Sequence, residues 1–244
     1  MALRIKKAAA KTRQPHTFLL ANTYEVTIRK RAGNRNIRLS VKADGSINVT
    51  IPTWAGYYAG RDFAESKLDW IRSQIPERTV LKDGQIIGKF HHLALAPTHG
   101  LSKPRSLVTT TTLTVRYPFD WSADDQRIQD IAAAACIRAL RLQAEQLLPP
   151  RLADLAQKHG FSYNGVQIKR LKGRWGSCDQ HQHIVLNLFL MQLPWECIDY
   201  VLLHELTHTR IMQHGEPFWS KMQGVVPDLA RIRKIMRTHQ PVLR

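Results

Sequence analysis

Residues 204–208 read His-Glu-Leu-Thr-His, an HExxH pattern, and they constrain this chain more than any other stretch. In an α-helix, positions i and i+4 lie on one face about one turn apart, so both imidazoles can reach a single metal ion. The intervening glutamate, Glu205, can then address a water at that metal. The pattern alone is not decisive, and its context has to agree. Here it does. Pro194 suits the start of a helix, and Glu196 and Asp199 suit its first turns. Ile198, Val201, Leu202 and Leu206 put apolar residues around the helix. The spacing predicts a buried helix that offers its polar pair to an interior cleft.

A catalytic zinc ion takes three protein ligands and keeps one position open. His204 and His208 supply two. His214 follows six residues after His208, the spacing of HExxHxxGxxH, but Ile211 stands where that pattern needs glycine. The chain is therefore expected to complete the helix, loop, and bring His214 back over the site. Glu216 is the rival third ligand, since a carboxylate completes the His₂Glu class.

Upstream, Arg174-Trp175-Gly176-Ser177-Cys178 precedes a strand-like run that ends near Leu188. Trp175 and Gly176 suggest a tight turn packed by an aromatic ring. Arg174 is either a surface cation or an oxyanion stabiliser beside the metal. Asn187 interrupts the apolar run IVLNLFL; it is either half-exposed or a hydrogen-bonding group inside the cleft. Arg174, Trp175 and Asn187 are the candidate substrate-binding residues. The pairs His181/His183 and His91/His92 read as surface residues.

The rest of the composition sets the class. No apolar run approaches the roughly 18–20 residues of a membrane span. Cys136, Cys178 and Cys197 are odd in number and lack CxxC spacing, which argues against a disulfide framework and for a reducing, cytoplasmic setting. The formal charge is +17, concentrated at the ends. Residues 1–43 hold eleven basic residues and one acid, and 231–244 hold five basic residues and none. Such ends attract polyanions, nucleic acid among them, or simply solvate the surface.

Periodicity divides the chain into a basic tail (1–17), a β-rich N-terminal subdomain (18–120) and a mixed C-terminal domain (121–244). Alternating residues predict strands within 18–51, with a hairpin at Asp44-Gly45. Helical spacing follows over 60–74, then strands near 89–96 and 106–117, the latter including the Thr109–Thr112 run. Ser122 and Asp125 fit a loose capping box that opens a long helix ended by Pro149-Pro150. A second helix runs to Gly160. Strands are expected at 163–170 and 183–190, and the last can hold a peptide by edge pairing.

As an ordered set, RWGSC (174–178), LN (186–187), DYVLLHELTH (199–208) and QHGEPFW (213–219) resemble the YgjP-like metallopeptidases, relatives of SprT-like and other small gluzincin-type proteases. Weaker matches are the DG hairpin, Pro52, LDWI (68–71) and DGQ (83–85), so the resemblance spans about 24–238. It implies an α+β fold with a zincin-like catalytic half, its HExxH helix beneath an antiparallel sheet. It also implies His204, His208 and His214 as zinc ligands, and Glu205 as general base. Gln213 and Gly215 replace the Asn and Ser of the family's third-ligand segment. The expected function is a zinc metallopeptidase acting on peptide or protein substrates. The alternatives are a metal-dependent nucleotide phosphohydrolase and a zinc-stabilised nucleic-acid-binding module without catalysis.

Overall fold

Alternation in the first third of the chain is realised as a four-stranded sheet. The computed structural model describes residues 15–21, 23–42, 45–74 and 80–243. Strands β1 (His16–Leu20), β2 (Tyr24–Arg31), β3 (Arg38–Val41) and β4 (Ile47–Pro52) lie in the order β1-β2-β4-β3. β2 and β4 are parallel and the other two pairings antiparallel. Val26, Ile28, Ile47, Val49 and Ile51 all point to one face, as period-two spacing requires. Helices α1 (Tyr57–Ser66) and α2 (Leu68–Gln74) cover that face with Ala64 and Ile71. The β3–β4 hairpin turns at Gly45, whose φ of 77° favours glycine. Asp44 and the basic residues 1–14 lie outside the described residues.

The chain falls into two compact units, residues 1–78 and 79–244. This division falls at 78/79, inside the 18–120 stretch that periodicity groups together. The reason is packing: the second sheet buries its apolar face against helix α3 (Gln126–His159) and joins that helix's core. This sheet comprises β5 (Ile86–Ile87), β6 (His91–Thr98), β7 (Arg105–Val108) and β8 (Thr112–Pro118), in the order β5-β6-β8-β7. The first three threonines, 109–111, form the turn between β7 and β8, and Thr112 starts β8. Thr109 Oγ1 accepts the Thr112 N–H at 3.0 Å, which closes that turn.

Helix α3 has its N-cap three residues later than the Ser122 cap expected. Asp125 is its N-cap, accepting the Arg127 N–H at 2.9 Å. It also runs straight through Pro149 and Pro150 to a left-handed cap at Gly160. The two prolines remove two N–H donors from the ladder. Leu148, Leu152, Leu155 and Ala156 are buried on both sides of them, and this burial holds the helix continuous. Alanines 132, 135, 139 and 144 let the sheet approach closely.

His91, expected at the surface, is fully buried. Its Nδ1 pairs with Gln143 Nε2 at 2.7 Å and its Nε2 with the Thr109 carbonyl at 2.9 Å. A neutral ring satisfies both contacts, which sequence spacing cannot reveal. His92, His181 and His183 are exposed.

The third sheet orders β10 (Gly176–Cys178), β11 (His183–Asn187) and β9 (Gly165–Lys169) as β10-β11-β9. It is mixed and not antiparallel, because β11 and β9 run parallel. β11 has neighbours on both sides, so it has no free edge for a substrate; β10 does. A short 3₁₀ turn (Leu188–Gln192) then leads to Pro194, the N-cap of helix α4 (Trp195–His208). Helices α5 (Glu216–Val225) and α6 (Leu229–Arg237) follow. The protein is thus mixed α+β. No helix among the described residues is long and apolar enough to cross a membrane.

Candidate metal centre

HExxH occupies the last turns of α4. Leu202, Leu203 and Leu206 are buried around it, which fixes the helix and directs His204 and His208 to one side. α4 ends at Thr209, and the loop that follows returns His214 to the same point. The three Nε2 atoms form a near-equilateral triangle: His204 to His208 3.2 Å, His208 to His214 3.1 Å and His214 to His204 3.0 Å. An ion about 2.0–2.1 Å from each nitrogen in tetrahedral geometry would separate them by roughly 3.3–3.4 Å. The triangle matches that to within a few tenths of an ångström.

The donor chemistry fits as well. His208 Nδ1 lies 3.1 Å from the Ile211 carbonyl and donates to it, so its Nε2 carries the lone pair. Burial, followed by the neighbouring His208, His214 and Arg233, depresses the His204 pKa to about 3. Burial also lowers that of His208. Neutral imidazoles with lone pairs aimed at one point are a ready cation site. His204 Nδ1 is buried without a hydrogen-bond partner among the described residues, so packing orients that ring. Phe218 does most of it. Fully buried, its ring lies 4.9, 4.7 and 4.7 Å from those of His204, His208 and His214. Trp219 Nε1 donates to the His214 carbonyl at 3.1 Å, and its ring stacks on the His214 imidazole. Sequence reasoning did not single out Phe218 or Trp219; the adjacent aromatic pair four and five residues after His214 was the available signal.

Glu205 is 5% exposed and points at β10. A Cβ on Gly176 would stand 2.6 Å from its Oε1, so the bare glycine makes room for the carboxylate. Gly176 is therefore an opening in a strand and not a turn residue. Burial pushes the Glu205 carboxyl up to about 8, against the opposing pull of Arg174. Two clefts meet at this point. The larger, of about 410 Å³, has Arg174, Trp175 and Tyr200 in its walls; the smaller, of about 250 Å³, has Ser177, Cys178 and Met212. Gly176, His204 and Glu205 line both.

The other candidates separate cleanly. Arg174 and Trp175 stand at the larger cleft. Asn187 does not: it is fully buried, its amide donates to the Leu171 and Arg174 carbonyls at 2.9 and 2.8 Å, and its Oδ1 accepts the Phe189 N–H. No donor is left for a substrate, so Asn187 shapes the 171–175 loop instead. Glu216 opens α5, exposed and outside the histidine triangle. The Cys178 thiol is pushed up to about 11, chiefly by burial, and neither it nor Cys197 joins the cluster.

Among solved structures, the chain is similar to the metallopeptidase zymogen of Pyrococcus abyssi abylysin. The identity is 23% and the TM-score 0.35, over 38% of this chain and 93% of that one. No curated protein matches. The family model described as YgjP-like, metallopeptidase domain, matches residues 35–239, which include the whole histidine triangle, Glu205 and both clefts. With that match over most of its length, the chain belongs to the YgjP-like metallopeptidase family.

Proposed function

We propose that the protein is a zinc-dependent peptidase in which His204, His208 and His214 hold the metal and Glu205 is the general base. The observation that carries this reading is the Nε2 triangle with a buried carboxylate beside it, at the junction of two clefts. Zinc, when bound, supplies a Lewis acid that polarises the scissile carbonyl and acidifies water. Three imidazole nitrogens favour zinc over harder, oxygen-seeking ions.

In its ionised form Glu205 takes the proton of the attacking water at a carboxylate oxygen. Water oxygen bonds to the carbonyl carbon, the C–N bond breaks, and Glu205 returns the proton to the leaving nitrogen. Closeness to Gly176 and burial limit the carboxylate to few positions, which favours reaction over solvation. Arg174, at the mouth of the larger cleft, supplies positive charge as negative charge grows on the carbonyl oxygen. β10 is an edge strand beside the centre, so its free side can pair with an extended peptide. Three free cysteines fit a cytoplasmic setting.

The test is Glu205→Gln in zinc-loaded protein, assayed on an unfolded protein substrate. Cleavage should fall by roughly 10²-fold or more with zinc still bound. Retention of most of the activity would overturn the assignment.

A further inference from the structure

Helix α6 carries Arg231, Arg233, Lys234 and Arg237. Arg231 is neutralised: it pairs with Glu196 at 2.5 Å and with Asp228 at 2.9 Å. Arg233 and Arg237 differ. One turn apart on the helix, both line the larger cleft beside His204 and Glu205, together with Arg174. None of these three guanidinium groups makes an ion pair or a hydrogen bond with a carboxylate among the described residues. Arg233 is held in place by the Trp219 ring, 4.0 Å below it, and Trp219 is anchored to His214. Among the described residues, the only carboxylate lining the cleft is Glu205. The smaller cleft, across the same centre, has no lysine or arginine in its walls among the described residues.

Arg174 already acts on Glu205, but Arg233 and Arg237 have no carboxylate partner among the described residues; facing one cavity they repel one another, and an anion in the cavity relieves this. A guanidinium matches a carboxylate through two parallel N–H···O bonds. We propose that Arg233 and Arg237 form a carboxylate-binding subsite beside the metal centre, so that cleavage is directed to bonds next to an acidic residue or near a free C-terminus. The proposal rests on the peptidase reading and names its substrate class. The charge lies on one side of the centre only, so the preference is one-sided. β10 runs from the arginine cleft at Gly176 toward the smaller cleft at Cys178. A peptide paired antiparallel to it brings the residues after the scissile bond to the arginines.

The experiment compares zinc-loaded wild type, Arg237→Ala, Arg233→Gln and the double variant Arg233→Glu/Arg237→Glu. Thermal melting and zinc content establish that each is folded and loaded. The substrates are peptides with Glu, Gln or Lys at each position around the bond, with free or amidated C-termini. Wild type should favour Glu over Gln roughly tenfold in kcat/KM on one side of the bond, as one charge-assisted contact would give. Arg237→Ala should lose that preference, and the double reversal should turn it toward Lys. A loss of rate on amidation alone would assign the subsite to the C-terminal carboxylate; a loss on Glu-to-Gln exchange would assign it to an acidic side chain.

Binding is read separately from cleavage. In Glu205→Gln protein, tryptophan fluorescence should report an acidic peptide bound roughly tenfold more tightly than its Gln counterpart, a difference absent when Arg237→Ala is added. If no variant cleaves anything while this arginine-dependent binding persists, the peptidase reading fails and the subsite stands. Equal rates and equal binding for Glu and Gln peptides would overturn the subsite. So would arginine-dependent binding of a nucleoside triphosphate with no preference for acidic peptides.

Discussion

The carboxylate of Glu205 fills the space that a side chain at Gly176 would occupy, with Oε1 only 2.6 Å from where that Cβ would stand. The two residues are 29 positions apart in sequence and belong to different elements, β10 and α4. Their contact makes the glycine a condition for the base, because any larger residue on β10 displaces the carboxylate.

Gly176→Ala should therefore separate activity from stability. The atoms it meets run from Cγ to Oε1 of the buried Glu205 side chain, so the whole side chain must shift, at a stability cost of about 1–3 kcal/mol. The carboxylate is then misplaced for proton transfer. Peptide cleavage should drop by roughly 10²-fold with zinc content unchanged and the melting temperature lowered by only several degrees, so that the protein stays folded at the assay temperature. Peptide kinetics beside a metal assay and a melting curve check this.

Metal should stabilise the second unit. A ligand that binds only the folded state contributes about 2.7 kcal/mol at a hundredfold excess over its Kd, or roughly 5–10 °C in Tm for a unit of this size. Zinc added to metal-free protein should raise Tm by that order, and a chelator should reverse it. His214→Ala breaks the triangle and should abolish most of the rise. An unchanged Tm on zinc addition would refute a metal site here.

Asn187→Ala tests a residue outside the cleft. It leaves the buried Leu171 and Arg174 carbonyls and the Phe189 N–H without their partner. Stability should fall by about 3 kcal/mol in a denaturant titration. Cleavage should also fall, because Arg174 and Trp175 sit on the loop that Asn187 holds.

The start of α3 should respond to acid. The Arg127 side chain and then its backbone N–H hold the Asp125 carboxyl down at about 2, below its ordinary 3.8. A depressed carboxyl contributes stability above its unfolded pKa and loses it as pH falls through the folded one. The Tm difference between wild type and Asp125→Ala should be full at pH 5–7 and should shrink between pH 4 and 2. A difference that persists at pH 2 would mean the cap acts without its charge.

What was readable in the chain and what was not divides along physical lines. The histidine helix, its Pro194 start and the Gly160 cap are local features, set by i,i+4 spacing and backbone preferences, and they appear where the residues indicated. The Thr109–Thr112 run misled because threonine suits a strand and a turn alike; hydroxyl hydrogen bonds decided for the turn over its first three residues. Pro149-Pro150 misled because local cost is not the only term: the buried leucines on both sides outweigh two missing N–H groups. His91 and Asn187 look like any polar residue in sequence, and only their distant partners, Gln143 and the 171–175 loop, explain their burial.

The sequence by itself determined that two imidazoles share one helix face with a carboxylate on the adjoining one, because helix geometry depends only on spacing along the chain. It also located the basic charge at the two ends. Only the tertiary structure decided that β10, and not β11, is the free edge, that Gly176 is the gap into which Glu205 fits, and that two arginines of the C-terminal basic run line a cleft at the centre. Those relations join residues tens of positions apart, and the burial of a common core, which no local pattern encodes, brings them together.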